Sequence, residues 1–161
     1  MLWKVKLSGR CGVTIIELIC VVAIMLIIAS VAMPVGRNII KKQKEIELRR
    51  ALREIRMAID EFHELASRFP GVRQQLDADN EDLYPPDLET LVEGIDLGLA
   101  VERKAKFLRR IPVDPMTGTT EWGFRSSRDE PDSEFWGGEN IFDIYTKSND
   151  TALDGTKYKD W

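Results

Sequence analysis

Residues 18–35 carry no charge and, apart from Cys20 and Ser30, no polar side chain, and Glu17 stands at the head of that run. Counted from Val13, the stretch reaches the roughly 20 residues that an α-helix needs to cross a bilayer core. A helix apolar on every side must be covered by lipid, by other helices or by the interior of a large protein. A carboxylate at its edge costs on the order of 2.5 to 3.5 kcal/mol on insertion scales, so Glu17 needs a route to the interface or a cationic partner. Cutting the peptide bond after Gly12 would supply that cation, because Val13 would then carry an α-amine four residues before Glu17. A neighbouring copy shifted along the axis could neutralise the charge.

Two plainer readings compete. A buried helix of a soluble protein rarely runs this long without a polar face. An ordinary secretory signal peptide would use Ser30-Val31-Ala32 as its small-x-small cleavage site and start the mature chain at Met33. Glu17 at the head of the apolar run and the length of that run speak against it. Flanking charge does not orient the span, since Lys4, Lys6 and Arg10 precede it while Arg37, Lys41, Lys42 and Lys44 follow it.

The chain's 161 residues suffice for one domain, and removal of residues 1–12 leaves 149. Charge is divided sharply: residues 1–44 hold a net +6 and residues 45–161 a net −10. So acidic a portion is a poor ligand for nucleic acid, whose affinity comes from clustered Lys and Arg. The two cysteines are Cys11 and Cys20, so none remains to staple residues 45–161. In an oxidising compartment a small fold of that kind relies on packing, assembly or a metal.

Beyond the apolar run, Pro34 and Gly36 are expected to kink or loosen the helix. Leu48, Leu52, Ile55, Ile59, Phe62 and Leu65 or Ala66 then recur at steps of three or four among charged residues, which predicts an amphipathic helix ending before Pro70-Gly71. The stripe would pack on the chain's own globular part; a coiled-coil seam is the alternative. Residues 71–86 read as an exposed loop, with an acidic run at 77–82 that is either solvated or cation-binding. Asp87 is a plausible N-cap for a short helix, and residues 99–110 form a second helical candidate, ending in Arg109-Arg110 where the helix dipole favours cations. Residues 121–126 and 141–147 read as strands of an antiparallel pair. Between them, residues 126–140 form a polar loop with Trp136 as its anchor.

Chemistry for catalysis is missing from the pattern. His63 is the one histidine and lies on a charged helix, where packing or exposure explains it. No nucleophile arrangement, zinc site or Gly-rich phosphate loop is visible. The C-terminal stretch Lys147-Ser148-Asn149-Asp150-Thr151-Ala152-Leu153-Asp154-Gly155-Thr156 holds two carboxylates and free carbonyls, which could serve a calcium ion or could simply be turns. It lacks the spacing of an EF-hand.

Gly12-Val13-Thr14-Ile15-Ile16-Glu17-Leu18 resembles the prepilin cleavage and methylation motif of type IV pilins and type II secretion pseudopilins. Gly12 would precede the cut, Val13 stands where the family usually has phenylalanine, Glu17 would be the fifth mature residue, and Pro34 the twenty-second, where a helix-kinking proline is common. Further on, Tyr84-Pro85-Pro86-Asp87-Leu88-Glu89-Thr90-Leu91, Ile111-Pro112-Val113-Asp114-Pro115 and Phe142-Asp143-Ile144-Tyr145-Thr146-Lys147-Ser148-Asn149-Asp150 are similar in order and spacing to the major pseudopilin of type II secretion. The family's Asp-Pro-Trp-Gly is Asp114-Pro115-Met116-Thr117-Gly118 in this chain.

The resemblance implies an α+β, type IV pilin-like fold. Its parts would be a leader at 1–12, a transmembrane and filament-core helix at 13–35, an amphipathic helix half at 36–69 and a globular head with a short antiparallel sheet and a C-terminal loop at 70–161. It implies processing at Gly12 and Val13 by a prepilin peptidase, an assembly role for Glu17 and Pro34, and calcium in the C-terminal loop. The ligands would be Asp150, the carbonyl of Lys147 and Asp154. The implied product is a homopolymer, a periplasmic pseudopilus working with minor pseudopilins and an inner-membrane secretion platform. A type IV pilin for adhesion, motility or DNA uptake is the near alternative, and a secreted binding protein with a signal peptide the distant one.

Overall fold

The computed structural model describes residues 12–76, 80–98, 104–131, 133 and 135–161, with the backbone alone for 31–37. The protein is α+β: a long N-terminal helix precedes short elements, and the strands pair as two antiparallel two-stranded sheets among the described residues. The helices are α1 (Ile15–Arg68), α2 (Pro70–Arg73) and α3 (Leu88–Glu93), the strands β1 (Ile95–Asp96), β2 (Lys104–Ala105), β3 (Gly123–Arg125) and β4 (Asp143–Tyr145), and a 3-10 turn covers Tyr158–Asp160. The chain divides into two compact units after Ile40.

In the first unit, α1 begins where Thr14 caps it. Its hydroxyl accepts from the Glu17 amide at 3.3 Å, and its carbonyl accepts from the Leu18 amide at 3.1 Å. This satisfies one of the orphan amides of a helix start. The side chains that follow stay bare: Ile15 is 81% exposed, Leu26 66% and Ile28 63%. Among the described residues no helix is long and apolar enough to cross a membrane; of the apolar run at the start of α1, residues 15–30 are described with their side chains. The leader at residues 1–11 and the side chain of Pro34 lie outside the described residues. The sequence predicts a kink or loosening at Pro34 and Gly36 within one continuous helix, and α1 is assigned without a break through those positions. One proline removes one i→i−4 bond, and a 54-residue helix retains its neighbours on both sides.

The second unit is built on the expected stripe. Leu48, Ile55 and Phe62 are fully buried, Leu52, Ile59 and Ala66 nearly so, and they pack with Val72, Leu91, Leu108, Trp122, Ile141, Ile144 and Tyr158. Each large side chain so buried contributes about 1.5 to 3 kcal/mol. Phe62 meets Phe107 edge to face at 5.3 Å. Helix α1 stops as predicted, because Pro70 forces Phe69 into an extended conformation, φ −114° and ψ 106°. Asp87 caps α3 as predicted, its Oδ1 accepting from the Thr90 amide at 2.6 Å. Gly94 ends α3 at φ +81°, and a Cβ there would lie 2.5 Å from the carbonyl oxygen of Ala105.

Two expectations need correction. The helix read at 99–110 is not formed over its described part: Lys104–Ala105 pairs with Ile95–Asp96, and the amides of Phe107 and Leu108 both donate to the carbonyl of Leu91, at 3.0 and 2.9 Å. Those tertiary bonds satisfy the C-terminal end of α3 and bury Leu108, which outweighs a local helical preference worth a few tenths of a kcal/mol per residue. Residues 99–103 lie outside the described residues. Nor is the segment read as an exposed loop at 71–86 simply exposed. Val72 is buried in α2, Asn80 is buried with its amide donating to the Tyr84 carbonyl at 2.6 Å, and the Pro85 carbonyl accepts from the Ile141 amide at 2.8 Å. Residues 77–79 of the acidic run lie outside the described residues.

The predicted strand pair forms as β3 and β4, shorter than the runs 121–126 and 141–147, with Gly123 opposite Tyr145, Phe124 opposite Ile144 and Arg125 opposite Asp143. The Tyr145 ring covers Gly123 so closely that a Cβ would run into it. Trp136 is anchored by an edge contact with Phe124 at 5.3 Å and by its indole N–H to the Asn140 carbonyl at 2.8 Å, while 40% of it stays exposed. The buried tryptophan is Trp122, whose Nε1 donates to the Pro112 carbonyl at 3.0 Å.

Candidate functional site

Gly12 and Val13 precede the helix in non-helical, exposed backbone, and a Cβ added at Gly12 would meet nothing within 4 Å. Val13 itself is 69% exposed. Glu17 sits in the first turn of α1, where the partial positive charge of the helix start favours a carboxylate by about 0.3 to 1 kcal/mol. Among the described residues no cation pairs with its carboxylate. The peptide bond after Gly12, the Thr14 cap and Glu17 thus lie together at one accessible helix start, followed by unburied apolar residues on all sides.

The C-terminal candidates each have contacts of their own. The Lys147 ammonium lies 3.7 Å from Glu121. Asp150 is exposed, and its carbonyl accepts from the Tyr158 amide at 3.2 Å. The Asp154 carboxylate turns back on its own loop: Oδ1 accepts from the Thr156 amide at 2.9 Å and the Thr156 hydroxyl at 2.6 Å, and Oδ2 lies 3.7 Å from Arg49. Those two Thr156 bonds, with the Arg49 charge, hold its carboxyl below the usual range. Among the described residues no three His, Cys, Asp or Glu side chains group to hold a metal.

Four residues that the sequence reading passed over meet this segment instead, all from α1. Lys41 Nζ donates to the Thr151 carbonyl at 2.6 Å. Glu45 Oε1 accepts from the Leu153 amide at 2.8 Å and from the Tyr158 hydroxyl at 2.9 Å. The Arg49 guanidinium lies 3.9 Å over the Trp161 ring. Arg56 donates from Nη2 to the main-chain oxygens of Trp161 at 2.8 Å and Ile144 at 3.1 Å, and from Nε to Asp143 at 2.6 Å. Burial first, then the Glu45 hydrogen bond and charge, push the Tyr158 phenol up to about 12. The signal was in the sequence: positions 41, 45, 49 and 56 share one helix face beside the apolar stripe. An open cleft of about 460 Å³ lies along it, lined by Arg49, Leu52, Arg53, Arg56 and Trp161.

Several oxygens of this segment that a calcium ion would draw on are already engaged. Calcium collects six to eight oxygens. Here the Asp150, Ala152 and Thr156 carbonyls accept amides of the same segment, Thr151 bridges Lys157, and Asp154 is capped internally. Lys41 and Arg49 place positive charge against the Thr151 carbonyl and Asp154.

Elsewhere, Asp114 is fully buried; its Oδ1 accepts from the Met116 amide at 2.8 Å and its Oδ2 from the Thr146 hydroxyl. The divergent Asp114-Pro115-Met116-Thr117-Gly118 motif is a closed turn, with the Gly118 amide on the Asp114 carbonyl at 2.8 Å. His63 stacks on Tyr84 at 4.3 Å, as a packed helix histidine does, with a buried Nδ1 that has no partner among the described residues. Burial first, then Asp60 and Asp82, raise the Tyr84 phenol above its ordinary value. Comparison with protein-family models, with curated protein sequences and with solved structures finds no match to this chain.

Proposed function

We propose that this chain is a prepilin-like structural subunit, cut after Gly12 by a prepilin peptidase and held in the inner membrane by a single span, with residues 41–161 in the periplasm. Many copies would polymerise through residues 13–35 into a pseudopilus that works with minor pseudopilins and an inner-membrane platform to move folded proteins outward. The observation that carries the reading is the Thr14-capped helix start, with an exposed Glu17 that is unpaired, and apolar side chains after it that are uncovered, among the described residues. In a bundle those side chains would cover one another, and Glu17 would meet the Val13 amine of a neighbour. Leaving such a charge buried and unpaired costs several kcal/mol.

The lack of cysteine in residues 45–161 favours the secretion pseudopilin over type IV pilins, which commonly close a C-terminal loop with a disulfide. Expression of Glu17→Ala tests the proposal: the variant should be cleaved and membrane-resident but defective in assembly. Wild-type filament yield from it would refute the role of Glu17. Long surface fibres at normal expression would move the reading to a type IV pilin.

A further inference from the structure

The resemblance implies a C-terminal loop closed by calcium, and the loop's geometry disagrees. Among the described residues, 150–161 take hydrogen bonds from within that segment and from one face of α1, and the Asp150 amide also donates to the Ser148 hydroxyl at 3.4 Å. Inside the segment, the Ala152 amide donates to the Thr156 carbonyl at 2.7 Å, the Gly155 amide to the Ala152 carbonyl at 3.2 Å, and the Trp161 indole to the Thr156 hydroxyl at 2.8 Å. From α1, Lys41, Glu45, Arg49 and Arg56 reach successive points of it.

We infer that residues 150–161 close on α1 without a metal ion, with the Lys41, Glu45, Arg49 and Arg56 ladder taking the place of the calcium expected from the family. Three physical points converge. A calcium ion beside Asp154 would have to displace two hydrogen bonds from Thr156 and the Arg49 guanidinium. At the Thr151 carbonyl it would meet the Lys41 ammonium, a like charge, already bound at 2.6 Å. Glu45, the acidic member of the ladder, has one oxygen filled by two donors, the Leu153 amide and the buried Tyr158 hydroxyl. Tyr158 and Trp161 pack edge to face at 5.0 Å, so the bond from Glu45 and the stacking of Arg49 fix one aromatic pair from two sides.

The latch concerns residues 41–161 alone, so its failure leaves the pseudopilus proposal standing, and a non-filamentous protein would still show it. The test uses the full chain in detergent, with metal content measured by elemental analysis and melting followed in chelator and in excess calcium chloride at matched ionic strength. The expected result is no stoichiometric calcium and one melting midpoint in both conditions. Glu45→Ala should lower that midpoint by several degrees with no rescue by calcium, whereas Glu45→Gln, which keeps the acceptor oxygen, should retain most of the stability. Stoichiometric calcium in the purified protein, or a midpoint that rises with calcium and falls with chelator, overturns the inference. So does a Glu45→Ala protein that melts with the wild type. Should Glu45→Ala fail to fold, the wild-type comparison decides alone.

Discussion

Replacing Thr146 by valine changes the shape of a buried side chain very little and removes one hydroxyl. That hydroxyl donates to Asp114 Oδ2 and accepts from the Ser148 amide at 3.1 Å, and both Asp114 and Thr146 are fully buried. Valine would leave a buried carboxylate oxygen without its donor and a buried amide without its acceptor. An unsatisfied buried group costs about 1 to 3 kcal/mol, more when it is charged, so a loss of roughly 2 to 3 kcal/mol is expected. For a folded unit of this size each kcal/mol moves the melting temperature by about 3 to 6 °C, which places the variant roughly 6 to 18 °C below the wild type. Near-ultraviolet circular dichroism of the full chain in detergent, which reports the packing of Trp122 and Tyr158, is the assay. Thr146→Ser, which keeps the hydroxyl, should recover most of the loss. A Thr146→Val protein melting within about 0.5 kcal/mol of wild type, the range of an inconsequential surface change, would refute the claim that Asp114 depends on Thr146.

Two further outcomes follow from the second unit. Gly94→Ala should destabilise by about 2 to 4 kcal/mol, combining strain at φ +81° with a Cβ set 2.5 Å from the fixed carbonyl oxygen of Ala105, and chemical denaturation measures it. The Asp129 carboxyl is held below its ordinary value chiefly by the Ser126 amide at 2.7 Å, against some desolvation, with the Gly137 amide adding to the effect. A lowered folded value gives stability that is present above the unfolded value of about 3.9 and is lost as pH falls through the folded one. Asp129→Asn should therefore be less stable than wild type at neutral pH, and the gap should close as melting is repeated at progressively lower pH below about 4; a gap independent of pH would contradict this.

What was legible in the sequence was what local physics decides. The stripe from Leu48 to Ala66 is visible because burial repeats with the helical period, and the Asp87 cap and the stop before Pro70 because each acts within a few residues. The β3 and β4 pair was readable from its turn-bounded aromatic and β-branched residues. What was not legible depends on partners far along the chain. Residues 104–108 look helical until Leu91 and Ile95 offer their main chain, and Asn80 looks like loop until Tyr84 and Asn140 surround it. The α1 ladder was hidden for the same reason: Lys41 and Thr151 are 110 positions apart, Glu45 and Tyr158 113. Charged residues between apolar ones read as solvated until the segment they hold is known.

The account rests on the peptide bond after Gly12 being the one that is cut, because that cut creates the amine which Glu17 is proposed to meet. N-terminal sequencing of the protein extracted from membranes tests this directly. The predicted result is a single start at Val13, with or without a methyl group on its amine. A start at Met33, or an intact Met1 in assembled material, would contradict the account.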